Sequence, residues 1–403
     1  MSRKTYQTTF GVLLRNIFFG NGKEVHFSPI DEFCTVSGKN NTTGIYYYDE
    51  KVYIGQHKKK FSIPVKFGKD KYLYEAQAFG NEICLCKINR RMYPSGWTYL
   101  LQICFKGTPP VKVDPDTGEL LHPIGKGSVG HDIGPQTLAS VGDNKVSLVM
   151  LASDVDDIDK RLRRINRAMD RSRRATNPDM FDKDGVVIPK NKLPNELVNR
   201  FGNRIWKKSK RYKQLEQTHR YLYTLKKIQT IQAHRELANK LIAYGNQHYI
   251  EKMNWQALAK KAKETKTTKT GKYASKKRFG KSILNKSPAS FIKVLQHTLS
   301  KQNGSLTEIN TWVAKASQFD HTDKAFKKKH LSQRWAHLSN GDQIQRDLYS
   351  AFLIQNINKE LNGFDQTMLE KKYICFKEMH DDCIQHIKET AIKTPSSFGF
   401  SAA

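Results

Sequence analysis

The chain has 403 residues, with 69 Lys and Arg against 38 Asp and Glu and a formal net charge of +31 at neutral pH. That length allows two or three domains with cores of their own, and the charge excess calls for a polyanionic partner, nucleic acid before any other. No apolar run of 18 residues is present and MSRKTYQTTFGVLLRNIFFG lacks a signal peptide of the usual form, so no membrane partner is expected and the location read is cytoplasmic, nucleoid-associated.

Residues 1–125 are strand-rich: GIYYYDEKVYIG, KKFSIPVKF, YLYEAQAF, NEICLCKI and WTYLLQICFKG, separated by Gly, Pro, Asn and Asp turns. They predict a small antiparallel β-domain or barrel. The six cysteines, Cys34, Cys84, Cys86, Cys104, Cys375 and Cys383, form no CxxC pair and read as reduced thiols. Cys84 and Cys86 alternate with leucine as small apolar strand residues. The stretch 108–125, TPPVKVDPDTGELLHPIG, is a Pro- and Gly-rich linker.

Three short extended pieces follow, 126–133, 137–141 and 145–152, joined by Gly-containing turns as a β-meander. GHDIGPQTLASVG, residues 130–142, carries Asp132 inside the first of them. An ionised carboxylate there is costly unless a cation or a hydrogen-bonding partner meets it. It reads either as a metal ligand or as a strand-end residue capping a turn.

DDIDKRLRRINRAMDRSRR then sets Ile158, Leu162, Ile165 and Met169 at helical spacing behind an acidic first turn. Arg161, Arg163, Arg164, Arg167, Arg171, Arg173 and Arg174 cover the remaining surface, either as a solvated face or as one turned to phosphates. Residues 177–203 look irregular. A long helix resumes over 206–244, with Lys207, Lys208, Lys210 and Arg211 near its start and Tyr212, Leu215, Leu222, Leu225, Ile228, Ile231, Leu237 and Leu241 as a stripe for packing. Together they predict a basic helical hairpin at about 154–245.

A short strand, His248 to Met253, carries Glu251, and residues 260–286 form a run with 11 basic residues, Lys276, Lys277 and Arg278 among them, expected as a phosphate-binding loop. Ser287 and Pro288 read as the N-cap and first position of a helix ending at Gly304. Leu306 to Val313 reads as a strand, 314–342 as loop, 341–357 as a helix with Asp347 near its start, and 364–391 as a final helix before a frayed end. Residues 160–300 hold 36 Lys and Arg against 9 Asp and Glu, so most of the charge excess lies in about a third of the chain.

Asp132, Glu251 and Asp347 share apolar flanks and neighbouring basic segments. Carboxylates converging in a wet cleft are what two Mg²⁺ ions need to hydrolyse a phosphodiester; spacing alone does not bring them together. The order of meander with Asp, basic helices, strand with Glu and helix with Asp resembles a RuvC-type, RNase H-like nuclease. GHDIGPQTLAS, YIEKMNWQAL and IQRDLYSAFLI resemble the three RuvC motifs of the TnpB/OrfB-type transposon-encoded proteins, relatives of type V CRISPR effectors. The resemblance covers about residues 45–357, with strands 45–107 similar to part of that family's wedge domain.

The resemblance implies a mixed α/β chain: a β-rich, wedge-like nucleic-acid-binding domain over 1–125, a RuvC-like nuclease domain over 126–358 and a C-terminal helix and tail over 359–403. It implies an RNA-guided DNA endonuclease with guide RNA and target DNA as partners, and Asp132, Glu251 and Asp347 as catalytic acids holding a two-ion Mg²⁺ site. Asp342 competes for the third place, and Arg346 is either a phosphate contact or a surface residue. The remaining readings are a non-catalytic nucleic-acid-binding protein and a DNA transposase. Two departures from the family carry expectations. Residues 314–346 contain no cysteine where a zinc ribbon stands, so no structural zinc is expected, and the region before Asp132 is short for a wedge plus a helical recognition lobe. Oligomeric state is open.

Overall fold

A computed structural model describes residues 34–401, apart from 39, 43, 57–58, 94–95, 261–263, 265–266, 268–278, 329, 331 and 393. The chain divides after Leu121 into two units.

In the first unit, β1 (Cys34–Ser37), β2 (Gly44–Tyr48), β3 (Lys51–Gln56), β4 (Lys59–Pro64), β5 (Ile83–Tyr93) and β6 (Gly96–Phe105) form two antiparallel sheets, β2-β3-β4 and β1-β5-β6. GIYYYDEKVYIG is a hairpin turning at Asp49 and Glu50, both with positive φ (46° and 54°), the twist-compatible form of a two-residue turn. Ile45, Val52 and Cys86 are the buried centre; burial pushes the Cys86 thiol up to about 11. One expectation is corrected here. YLYEAQAF is not a strand but contains helix α1 (Tyr74–Phe79). The Asp70 carboxylate accepts the backbone N–H groups of Tyr74, Glu75 and Ala76 at 2.7–2.9 Å. It thus satisfies the donors that a helix start leaves unpaired, which favours a turn of helix over an extended strand.

The second unit is built on β7 (Ser128–Ile133), β8 (Thr137–Val141), β9 (Val146–Met150), β10 (Gln247–Glu251) and β11 (Ser305–Ile309), in the order β11-β10-β7-β8-β9. The meander β7-β8-β9 is antiparallel, as predicted, and β10 runs parallel to both β7 and β11. Between β9 and β10 lie α2 (Val155–Thr176) and α3 (Lys210–Leu241). After β10 come α4 (Trp255–Ala259), α5 (Gly280–Lys286) and α6 (Pro288–Ser300), and after β11 the short α7 (Thr311–Ala314), two small hairpins, α8 (Arg346–Gln355) and α9 (Gln366–Thr390).

Both sheet faces are covered, so β8 is buried at every position. On one face Ile133, Leu138 and Ile250 pack against Ala238 and Leu241 of α3 and Phe291, Leu295 and Leu299 of α6. On the other, Ala139, Val141 and Leu148 pack against Phe352 of α8 and Phe376 of α9. The helix set apart at 359–403 by sequence therefore belongs to the core of this unit.

The basic hairpin forms, with Ile158 and Leu162 of α2 packed against Leu222 of α3. The buried line of α3 differs from the predicted stripe. It runs through Leu222, Lys226, Thr230, His234 and Ala238, while Ile228 stays 42% exposed. The line is an i, i+4 row along one face of the helix, and polar members are accepted because each finds partners. Lys226 Nζ reaches Asp159 Oδ1 at 2.9 Å and Asn285 Oδ1 at 2.6 Å. Lys286 Nζ meets Asp156 Oδ1 at 2.8 Å and the Ala152 carbonyl at 3.1 Å. The end of the basic run at 260–286 is thus helical and pinned to the acidic first turn of α2, with Lys286 buried. Ser287 sits in the left-handed region and caps nothing with its side chain. The strand expected over 306–313 ends at Ile309, because Asn310 accepts the Trp312 N–H and starts α7. The helix expected from 341 begins at Arg346, after a strand at Gln343–Gln345.

Candidate active site

Asp132 is the fifth of six residues in β7, and Glu251 the last of β10. The parallel register pairs Ile250 with His131, so Glu251 and Asp132 follow side by side on adjacent strands. Strand alternation sends both to one face, with Gly130 and Tyr249, while His131, Ile133 and Ile250 point to the other.

The helix α8 lies across that face. Gly130 makes this possible: a Cβ there would stand 2.0 Å from the Ala351 carbonyl oxygen and 2.3 Å from the Gln355 nitrogen. The end of α8 is tied down by Gln355 Nε2, which donates to the Ser128 carbonyl at 3.2 Å and to Asp143 Oδ1 at 2.9 Å. One turn before Ala351 is Asp347, in the first turn of α8, and Ser350 stands between them on the same side. The start of the helix is set by Gln345, whose side chain accepts the Leu348 N–H at 2.8 Å.

The electrostatics follow from this placement. The Asp132 carboxyl is held well above the usual carboxylate range by burial first, then by the negative fields of Asp347 and Glu251. Arg346 and the buried Ser350 hydroxyl act against that rise. Burial pushes Glu251 up to about 7. Arg346 is itself positioned: its guanidinium donates to the Gln333 carbonyl at 3.1 Å and lies 3.5 Å from Asp347 Oδ1. Asp342 belongs elsewhere. Its Oδ2 accepts from the Tyr373 hydroxyl at 2.6 Å and from Asn340 at 2.7 Å, and it closes a hairpin instead of facing Asp132.

All the donors are carboxylate oxygens, the ligand type of Mg²⁺. A divalent charge in the space they face would reverse the rise at Asp132. Among the described residues no three His, Cys, Asp or Glu side chains are gathered closely enough to hold an ion as they stand; what the three acids share is electrostatic reach.

Sequence reasoning missed the layer behind the acids. On the opposite sheet face Ser140, His131 and His248 form a fully buried chain: Ser140 Oγ to His131 Nδ1 at 2.8 Å, His131 Nε2 to His248 Nδ1 at 2.8 Å, and His248 Nε2 to the Gly245 carbonyl at 2.9 Å. A carbonyl only accepts, so His248 carries its hydrogen on Nε2, His131 donates from Nε2, and Ser140 donates to His131 Nδ1. These bonds link β8, β7 and β10 beneath Asp132 and Glu251. The two histidines are 117 positions apart, so no local pattern announces the pair.

Burial depresses both rings, His131 well below its usual value and His248 to about 4. An unfolded histidine titrates near 6.5. Between that pH and about 4 the unfolded chain binds a proton that folded His248 does not, so folding weakens as pH falls. In urea melts, the stability advantage of wild type over His248→Gln is expected to shrink by about 3 kcal/mol from pH 7 to pH 4. An advantage constant across that range would show that His248 is not held neutral.

Of the basic residues singled out, Arg161, Arg164, Arg167 and Arg171 on α2 and Lys207, Lys208, Lys210 and Arg211 at the start of α3 are exposed. Lys208 pairs with Glu216 at 2.7 Å. Arg174 is also exposed, but its guanidinium is engaged: it donates to Asp170 and the Gly185 carbonyl and covers the Phe181 ring at 5.0 Å. It therefore braces the irregular segment after α2, with its charge partly matched by Asp170. Lys276, Lys277 and Arg278 lie outside the described residues.

No protein-family profile matches the sequence, and no curated protein matches it. Among solved structures the chain is similar to a cryo-EM structure of a Cas12f1–sgRNA–target DNA complex, with a TM-score of 0.45 and 12% identity over 88% of this chain and 70% of that one. A likeness of that size leaves function to the side chains themselves. No described helix is long and apolar enough to cross a membrane.

Proposed function

We propose that the chain is an RNA-guided DNA endonuclease whose second unit is a RuvC-like, RNase H-like nuclease, with Asp132, Glu251 and Asp347 as the acids that hold Mg²⁺. The observation that carries this reading is the meeting of three distant segments: acids at the ends of two adjacent parallel strands, and a third on the first turn of the helix laid across them, with both of the others acting electrostatically on Asp132. Strand order and acid positions together support an RNase H-like sheet.

Bound Mg²⁺ would activate the attacking water and stabilise the leaving 3′ oxygen. The chain's own residues prepare the place. The central strands and the buried histidine layer hold Asp132 and Glu251 rigidly. Arg346, fixed by the Gln333 carbonyl, offers a positive charge to the phosphate beside Asp347. The exposed arginines of α2 and lysines of α3 attract the strands through their phosphates, while base pairing with the guide reads sequence.

A non-catalytic nucleic-acid-binding protein is the second reading, favoured by the spread of the three acids in the described structure. The deciding experiment sequences RNA that co-purifies with the protein, then tests Mg²⁺-dependent cleavage of DNA matching it. Wild type and Asp342→Asn are expected to cut; Glu251→Gln and Asp347→Asn are expected to be at least about 100-fold slower. Tight RNA binding without cleavage by wild type would establish the second reading, and equal cutting by all four proteins would remove the acids from the chemistry.

A further inference from the structure

A pocket of about 460 Å³ opens between α2, α3 and α5. Leu162, Ile231, Leu284 and the ring of Tyr223 give it apolar wall surface, beside the polar side chains of Thr230, Asn285, Ser287 and Ser290. Two of these are unusually bare for their type, Leu284 at 73% and Tyr223 at 51% exposed. The Tyr223 ring is braced edge-on by His219, with centroids 4.8 Å apart. Its rim carries Arg163, Lys227 and Lys281. The Asp159 carboxylate at the floor is already met by Lys226 and Asn285, with Lys281 at 3.6 Å. The pocket therefore keeps an excess of positive charge over a partly apolar interior.

A slot with apolar wall surface, a half-exposed aromatic ring and cations at its mouth suits a flat, partly polar ring attached to an anion. We propose that this pocket receives an unpaired nucleotide of a nucleic-acid strand, its base against Tyr223 and Leu284 and its phosphate at Arg163, Lys227 and Lys281. Asn166, exposed on α2 at the same pocket, supplies both a donor and an acceptor for a base edge. Base-on-aromatic stacking of this kind tolerates any base, since every base has a π face. A paired base is stacked within its duplex and does not enter. This binding is separate from the acid site and requires no cleavage.

The test uses the full chain in EDTA, with labelled U12, dT12, an abasic strand of equal length and a 12-base-pair DNA duplex. Stacking of one base accounts for roughly 5- to 100-fold in affinity. Wild type is expected to bind U12 or dT12 more tightly than the abasic strand by about that factor. Tyr223→Ala and Leu284→Ala should erase the preference without changing duplex binding, and Tyr223→Phe should keep it. Because both side chains are exposed, thermal melts should match wild type. Lys227→Ala should weaken every strand and lower the salt dependence of binding. Comparison of U12 with dT12 assigns the nucleotide to RNA or to DNA. Equal loss for single strands, abasic strand and duplex in Tyr223→Ala, or no loss at all, would overturn the pocket and leave only a charged surface.

Discussion

Replacing Asp132 with Asn is expected to make the protein more stable in Mg²⁺-free buffer at neutral pH while slowing cleavage by at least about 1,000-fold. The two effects have one cause. Asp132 is buried beside two other acids, and its carboxyl is held well above the usual range by that burial and by the fields of Asp347 and Glu251. Ionising it there opposes folding, and an amide of the same shape removes the charge. The gain expected is about 1–2 kcal/mol, or roughly 2–8 °C in Tm. Mg²⁺ should reverse the ranking. Wild type should gain stability with Mg²⁺ concentration, as any ligand that binds only the folded state requires, and the variant should respond weakly. Calorimetry with and without Mg²⁺ measures both. A variant less stable than wild type in EDTA, with the same Mg²⁺ response, would show Asp132 to be an ordinary structural residue.

Gly130→Ala is expected to be among the most damaging single-methyl additions in the second unit. The added carbon would lie 2.0 Å from one backbone atom of α8 and 2.3 Å from another. No side chain can swing aside to relieve this, so either β7 or α8 must shift. Overpacking of a yielding core costs about 1–3 kcal/mol, and a backbone clash belongs at or above the top of that range. For a domain of this size that is a fall of roughly 6–12 °C in Tm. Because α8 carries Asp347, whatever folds should also lose cleavage. Gly363→Ala is the control: its Cβ would meet only the Asn358 amide, at 3.4 Å, so it should melt within about 2 °C of wild type. Similar melting of the two variants would show that α8 does not depend on close contact at Gly130.

The second unit was legible wherever a local pattern carries the physics. The meander at 126–152 announced itself by short apolar runs between glycine turns, and α2 by apolar residues at helical spacing. The three acids were reached through apolar flanks and motif resemblance, and Asp347 and Glu251 lie close enough to act electrostatically on Asp132. Legibility failed where a partner outside the segment itself decides. YLYEAQAF has a strand's composition but follows an aspartate that accepts three of its N–H groups. Lys286 looked like part of a solvated basic run until Asp156 and the Ala152 carbonyl, more than 100 positions earlier, buried it.

The sequence by itself determined a net charge of +31 and that the carboxylates at 132, 251 and 347 stand out. Net charge and hydrophobic period are sums over neighbours, readable without a fold. Which acid lies near Asp132, which arginines pair with carboxylates and which histidines link the strands were decided only by tertiary structure. Asp342 and Asp347 are five residues apart, yet a hairpin turns one toward Tyr373 while the close seat of α8 on Gly130 sets the other beside Asp132. Burial and electrostatic coupling depend on distances in space, and those arise when strands pair across a hundred residues and a helix lies down where one side chain is missing.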